Sequence, residues 1–296
     1  MSTLEQEIQT LSNTLVYELT KALALPQTER VKSIVRMLFG RAARKFSELA
    51  VGLDRVVAEH GIAAGARWVL PRFVKDHAAR GLENIPPTGP LVIAANHPGA
   101  YDSVVISAHV TRPDFKVIIG DIPFFENLPH VSEHAIYAPA LQNTYGRMQV
   151  IRESIRHLQG GGALLIFARG GIEPDPALMP APDAEFNLWS RSLQIFLERV
   201  PQTRVLVTIV GGVIASEMWR HPITWFRRAR PDRQRLAFMM QIAQQVLSGK
   251  EMFGLTPRVS FGELIGLHET SNAEDALHRV IESARRLVRS HLAWEV

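Results

Sequence analysis

The chain has 296 residues, 46% of them hydrophobic, a formal net charge of +4 and no cysteine. This length and apolar content suit one α/β domain with an accessory segment better than two equal domains. The missing thiol excludes disulfides, cysteine-ligated zinc and a cysteine nucleophile.

Residues 3–25 place Leu4, Ile8, Leu11, Leu15, Leu19 and Leu23 at helical spacing ahead of Pro26. Residues 28–50 repeat the pattern with Val31, Ile34, Val35, Leu38, Phe39, Ala42, Phe46 and Leu49. Arg30, Lys32, Arg36, Arg41, Arg44 and Lys45 fall mostly on the opposite side. The pattern predicts an N-terminal helical segment over residues 1–80, serving as a packing layer or a dimer face. Pro86-Pro87-Thr88-Gly89-Pro90 is the strongest break and marks the entry to an α/β domain, assigned to residues 81–296.

Strand-like runs follow at 91–95, 116–120, 134–138, 163–168, 205–210 and 258–261. Helical patterns lie between several of them, at 103–110, 147–158, 188–199 and 233–248, and a last helix is predicted over 273–292. The alternation predicts an α/β fold, a largely parallel mixed sheet flanked by helices. Gly160-Gly161-Gly162 reads as a helix stop, since no Lys-Ser/Thr signature follows it. The run Pro174–Pro182 reads as a surface loop. Arg220, Arg227, Arg228, Arg230, Arg233 and Arg235 are interleaved with Trp219, Trp225 and Phe226. That mixture suits an anionic membrane interface, a phosphorylated ligand or a solvated helix face.

No apolar run approaches the roughly 18–20 residues that a bilayer span requires. The start, Met1 to Glu7, lacks the basic-then-apolar order of a secretory signal. The expectation is a cytoplasmic protein, soluble or resting on the inner face of the membrane.

The chemistry concentrates in Asn96-His97-Pro98-Gly99-Ala100-Tyr101-Asp102, directly after the apolar run 91–95. A strand delivers a histidine into a Pro-Gly turn, and a carboxylate returns at the start of the next helix. Asp102 can then hold one imidazole nitrogen while the other takes a proton from an alcohol. Ligands of open parallel sheets gather beyond the carboxyl ends of the strands, where His97 sits.

Asn-His-x4-Asp after a hydrophobic strand resembles the first block of the glycerolipid acyltransferases, the glycerol-3-phosphate and 1-acylglycerol-3-phosphate acyltransferases. Residues 120–125, Gly-Asp-Ile-Pro-Phe-Phe, resemble the second block, Phe167-Ala168-Arg169-Gly170-Gly171 the third and Val205–Val210 the fourth. The similarity spans about residues 85–215. Departures fall around the histidine–aspartate pair. Gly99 stands where Ser or Thr is common, Arg169 replaces the usual glutamate of the third block, and Gly171 its threonine.

The resemblance implies His97 and Asp102 as catalytic residues, with an acyl thioester of coenzyme A or acyl carrier protein as co-substrate and no cofactor or metal. It implies a lipid or glycerophosphate acceptor, peripheral membrane contact and no nucleic-acid partner. Asn96, Gly99, Arg169, Gly170, Gly171, Glu173 and Arg147 are the residues assigned to substrate binding. Arg169 is read either as a clamp for a phosphate or carboxylate or as a loop residue paired with Asp175 or Glu173. Backbone N–H groups near 168–171 are expected to serve the oxyanion. In relatives, accessory helices like the N-terminal ones line an acyl groove or rest on the bilayer. Two other functions compete: a thioester or lipid hydrolase in which His97 activates water, and a non-catalytic protein that binds acyl chains or lipid. A serine hydrolase is disfavoured, because no Gly-x-Ser-x-Gly elbow is present.

Overall fold

The computed structural model describes residues 3–22, 26–99, 101–120, 122–139 and 143–294. Leu23, Ala100 and Asp121, used above, lie outside the described residues. Helix α1 (Thr3–Ala22) packs along α2 (Glu29–His60), and α3 (Ile62–Val69) follows. The Thr28 hydroxyl oxygen accepts from the Val31 N–H and caps α2. This helix runs past residue 50 because Val51, Asp54 and Val57 continue its buried face, and Gly61 at φ +80° stops it. The N-terminal layer does pack: Ile8 and Leu11 of α1 and Ala50 and Val51 of α2 cluster with Phe124 and Leu128.

The sheet begins with β1 (Ala78–Arg80) and β2 (Leu91–Ala95), followed by α4 (Asp102–Ser107) and β3 (Phe115–Gly120). Two short helices, α5 (Pro123–Glu126) and α6 (Pro129–Glu133), lead to β4 (Ala135–Ala138), α7 (Thr144–Gln159) and β5 (Ala163–Phe167). Then come α8 (Ser192–Arg199), β6 (Arg204–Gly211), α9 (Ser216–Trp219), α10 (Arg230–Ser248), β7 (Arg258–Gly266) and α11 (Ala273–Leu292). The strand order is β1-β7-β6-β2-β5-β3-β4. All neighbouring pairs are parallel except β6 with β7, so the sheet is largely parallel and mixed, as predicted.

Strand β2 pairs with β5 and β6 along its whole length and is fully buried on both faces. Leu91, Ile93 and Ala95 enter one core, and Val92 and Ala94 enter the other. Two-sided burial explains the unbroken apolar run in place of an alternating one. The second core is closed by α11, whose Ala276, Val280, Ala284 and Val288 recur every turn.

Three boundaries differ from expectation. Strand β1 adds Ala78–Arg80 to the sheet edge by pairing with β7, so the sheet reaches into the segment assigned to the N-terminal helices. Strand β7 continues to Gly266 against β6. The helix predicted from 188 starts at Ser192, because 186–188 form a 3-10 turn and Trp189 is extended. The predicted surface loop at 174–182 is also corrected, since Pro174, Asp175 and Pro176 are buried. The Asp175 carboxylate accepts from the amides of Ala177, Gly212, Val213 and Ile214 at 2.8–3.1 Å, fastening the exit of β6.

Candidate active site

The site is built on the end of β2. Main-chain pairing with β6 reaches Ala95 opposite Thr208, and Asn96 prolongs it with its side chain. Its amide donates to Val210 O (2.9 Å) and its oxygen accepts from Val210 N–H (2.8 Å). Asn96 therefore acts as one more rung of the ladder. It is fully buried with both side-chain groups engaged, which leaves it none for the substrate contact expected of it.

His97 emerges next, its peptide held from both sides by Glu173. The His97 N–H donates to Glu173 Oε2 (3.1 Å), and the Glu173 N–H donates to His97 O (2.7 Å). The imidazole stacks on Phe167 at the end of β5, with centroids 4.1 Å apart and planes 22° apart. Its Nδ1 lies 2.7 Å from Asp102 Oδ2. The His97 side chain is 30% exposed and that of Asp102 only 2%. No described residue bonds Nε2.

Asp102 is fixed by its place in the first turn of α4. It accepts from Gly99 N–H (2.8 Å) and Ser103 N–H (2.7 Å) besides the histidine. With Nδ1–H donated to the carboxylate, the neutral ring presents Nε2 as a base. Burial of the ring pulls its pKa down. The Asp102 charge, its hydrogen bond and Glu173 outweigh that pull, so His97 titrates above its ordinary value.

Gly99 has two reasons to be glycine. Its φ is +95°, and a Cβ there would stand 2.7 Å from the Phe238 ring of α10. The hydroxyl residue common at this place in relatives does not fit.

Glu173 is a correction. It is wholly buried, and its other oxygen accepts from Trp189 Nε1 (2.9 Å), so both oxygens are spent on holding His97 and Trp189 and not on the substrate contact expected. Burial pushes its pKa up to about 7, against the downward pull of Trp189, the His97 amide and nearby positive charge. In the unfolded chain the group returns to its ordinary 4.5. The folded state therefore holds this proton more tightly, and the stability it lends is complete below the unfolded value. It is lost as pH rises through about 7. The loss amounts to about 3 kcal/mol. Glu173→Gln should remove that slope. The Tm of the wild type relative to the variant is expected to fall between about pH 5 and 8. Parallel Tm curves would show that the carboxyl is not proton-loaded.

Arg169 pairs neither with Asp175 nor with Glu173, both of which point inward. Its Nε lies 2.8 Å from Glu185 Oε2, off the line of a good hydrogen bond, and its Nη1 donates to Ile172 O (3.2 Å). Arg230 of α10 holds the other oxygen of Glu185 (2.7 Å) and also Ile172 O (2.9 Å). Gly170 takes φ +72°. The amides of Ala168 and Gly170 are already donated to Ala95 O and Phe167 O, so neither is free for the expected oxyanion role. Gly171 sits under the Arg169 guanidinium, where a Cβ would stand 2.7 Å from Nη1. Arg147 is exposed on the first turn of α7, and no contact among the described residues joins it to His97.

The decisive positioning residue absent from the predicted set is Gln234. Buried on α10, it donates through Nε2 to both Pro98 O and Glu173 O (2.7 Å each) and accepts from Arg230 Nη1 (2.6 Å). Gln241 and Gln245 continue the same face, binding Ala215 N–H and Val213 O, and Phe73 O and the Tyr101 hydroxyl. Three glutamines at helical spacing on an inward face are the trace this leaves in the sequence.

Residues 77–199 match the acyltransferase family model. The crystal structure of the 1-acyl-sn-glycerophosphate (LPA) acyltransferase PlsC from Thermotoga maritima aligns over 99% of this chain and 96% of that one, with 14% identity and a TM-score of 0.49. No curated protein matches the chain. The matched residues contain His97, Asp102 and the strands β2 and β5 that carry them, so the similarity to the acyltransferase family model covers the candidate site itself.

Proposed function

We propose that the protein moves a fatty acyl group from an acyl thioester, of coenzyme A or acyl carrier protein, to a hydroxyl of a glycerophosphate, lysophospholipid or related lipid acceptor. The observation that carries this reading is the His97–Asp102 pair at 2.7 Å, with the His97 N–H and C=O both held by Glu173 and the ring's Nε2 bonded by no described residue. Nε2 takes the proton of the acceptor hydroxyl as its oxygen attacks the thioester carbonyl. The Asp102 carboxylate, bonded to Nδ1, steadies the imidazolium. The tetrahedral intermediate then collapses, the C–S bond breaks, and the imidazolium returns its proton to the leaving thiolate. This sequence uses only the chain's own groups and needs no cofactor.

Arg169 is the group we assign to the acceptor's anionic part, together with the Gly171 backbone, and Arg147 to a more distant contact. One carboxylate, Glu185, is shared between two guanidiniums, which leaves net positive charge beside the His97 turn. No described helix is long and apolar enough to cross a membrane, and we place the enzyme on the cytoplasmic face of one.

The test offers purified protein acyl-CoA and acyl-carrier thioesters with and without lysophospholipid or glycerol phosphate. Thiol release that depends on acceptor supports transfer. Release without acceptor would make the protein a hydrolase, and thioester binding without release would make it a binding protein. Arg169→Ala is expected to raise the acceptor KM by about tenfold or more, the weight of a charge-assisted contact. An unchanged KM would remove Arg169 from the acceptor site.

A further inference from the structure

Between α9 and α10 the chain forms a tight 3-10 turn, Pro222–Phe226, that presents its apolar side chains to solvent. Ile223 is 50%, Trp225 63% and Phe226 87% exposed. The turn is rigidly built from below. Buried Thr224 donates its hydroxyl to Trp219 O (3.1 Å) and His221 O (2.8 Å). Arg233 lies 4.1 Å over the Trp219 ring and donates to Trp219 O (2.8 Å) and Thr224 Oγ1 (3.2 Å). The apolar tip therefore cannot fold back and bury itself.

Arg220, Arg227 and Arg228 are exposed around the tip, and no acidic residue occurs between Glu217 and Asp232. Its position is also specific. β6 ends at the same edge of the sheet as β2, and the helix that follows the turn carries the Arg230 and Gln234 that hold the catalytic turn.

We propose that residues 222–228 anchor the enzyme to an anionic bilayer surface, with Trp225 and Phe226 among the headgroups and Arg227 and Arg228 against lipid phosphates. The proposal rests on the lipid-acceptor reading for its purpose. An aromatic side chain with a polar edge favours the membrane interface, and each nearby cation adds attraction to anionic lipid. A protein partner fits less well. One convex turn with three apolar side chains falls far short of the roughly 800 Å² per side that a stable protein interface buries.

Cosedimentation with vesicles of phosphatidylcholine, alone or mixed with phosphatidylglycerol, tests the proposal. The wild type should bind the mixed vesicles, and added salt should weaken binding. Arg227→Gln with Arg228→Gln should reduce that affinity by roughly fivefold for each arginine removed. Trp225→Ser with Phe226→Ser should abolish most binding while leaving turnover of a dispersed short-chain acceptor unchanged. Mixed-vesicle binding that survives both double variants would overturn the anchor, as would substitutions that alter only self-association. Vesicle binding lost in the variants of a protein without acyltransferase activity would keep the anchor and sink the functional reading. Activity with unaltered vesicle binding would do the reverse.

Discussion

His97→Ala is expected to lower acceptor-dependent kcat by about 10²–10⁴-fold, the range that a positioned general base contributes. The effect should fall on kcat more than on acceptor KM, because the ring does its work as the hydroxyl attacks. Asp102→Asn should approach the same loss with the fold intact, since an amide in place of the carboxylate no longer holds the tautomer or stabilises the imidazolium. The pH profile gives a second readout. A protonated His97 cannot accept the hydroxyl proton, so kcat/KM should rise with pH. Its midpoint should lie above the usual histidine value of about 6.5, because the carboxylates beside the ring outweigh the effect of burial. Asp102→Asn should move that midpoint downward. Acceptor-dependent turnover that survived His97→Ala would remove the histidine from the reaction.

Asp175→Ala is expected to be the most damaging substitution for stability. The carboxylate is wholly buried and satisfies four amides, three of them consecutive at 212–214. A buried N–H left without an acceptor costs about 1–3 kcal/mol, so four place the loss at about 4 kcal/mol or more. Against a total stability of about 5–15 kcal/mol, most of the margin would go. The melting temperature should drop by about 10 °C or more. Asp175→Asn should fall between, because it keeps one acceptor oxygen and turns an amide NH2, itself a donor, toward two of the donors. Thermal unfolding of the two variants checks the order, and a Tm for the alanine variant within about 2 °C of wild type would refute it.

Much of the fold was legible because burial writes a pattern. Five consecutive apolar residues in β2 require a strand covered on both faces, and the helices between strands require parallel crossovers. The contact between His97 and Asp102 was legible for a related reason, since a strand, a Pro-Gly turn and a carboxylate at a helix start leave few other geometries. β1 was not. Ala78-Ala79-Arg80 has no apolar pattern and becomes a strand only because β7 offers an edge. Glu173 and Asp175 were misjudged in kind. A carboxylate beside prolines and glycines reads as solvated, and only the tertiary arrangement of N–H donors makes its burial tolerable. Arg169 found its partner in Glu185 because the nearer carboxylates had turned inward to hold backbone. Such choices between competing partners depend on which groups face each other after folding, and spacing along the chain does not encode that.

The position of Gln234 bears on modularity. The stretch that matches the acyltransferase family stops at residue 199, whereas the side chain that ties Pro98 to Glu173 comes from residue 234. A graft of the matched stretch alone would carry the histidine and the aspartate into a new host without the side chain that ties Pro98 to Glu173. The smallest transplantable unit therefore extends through the helix 230–248.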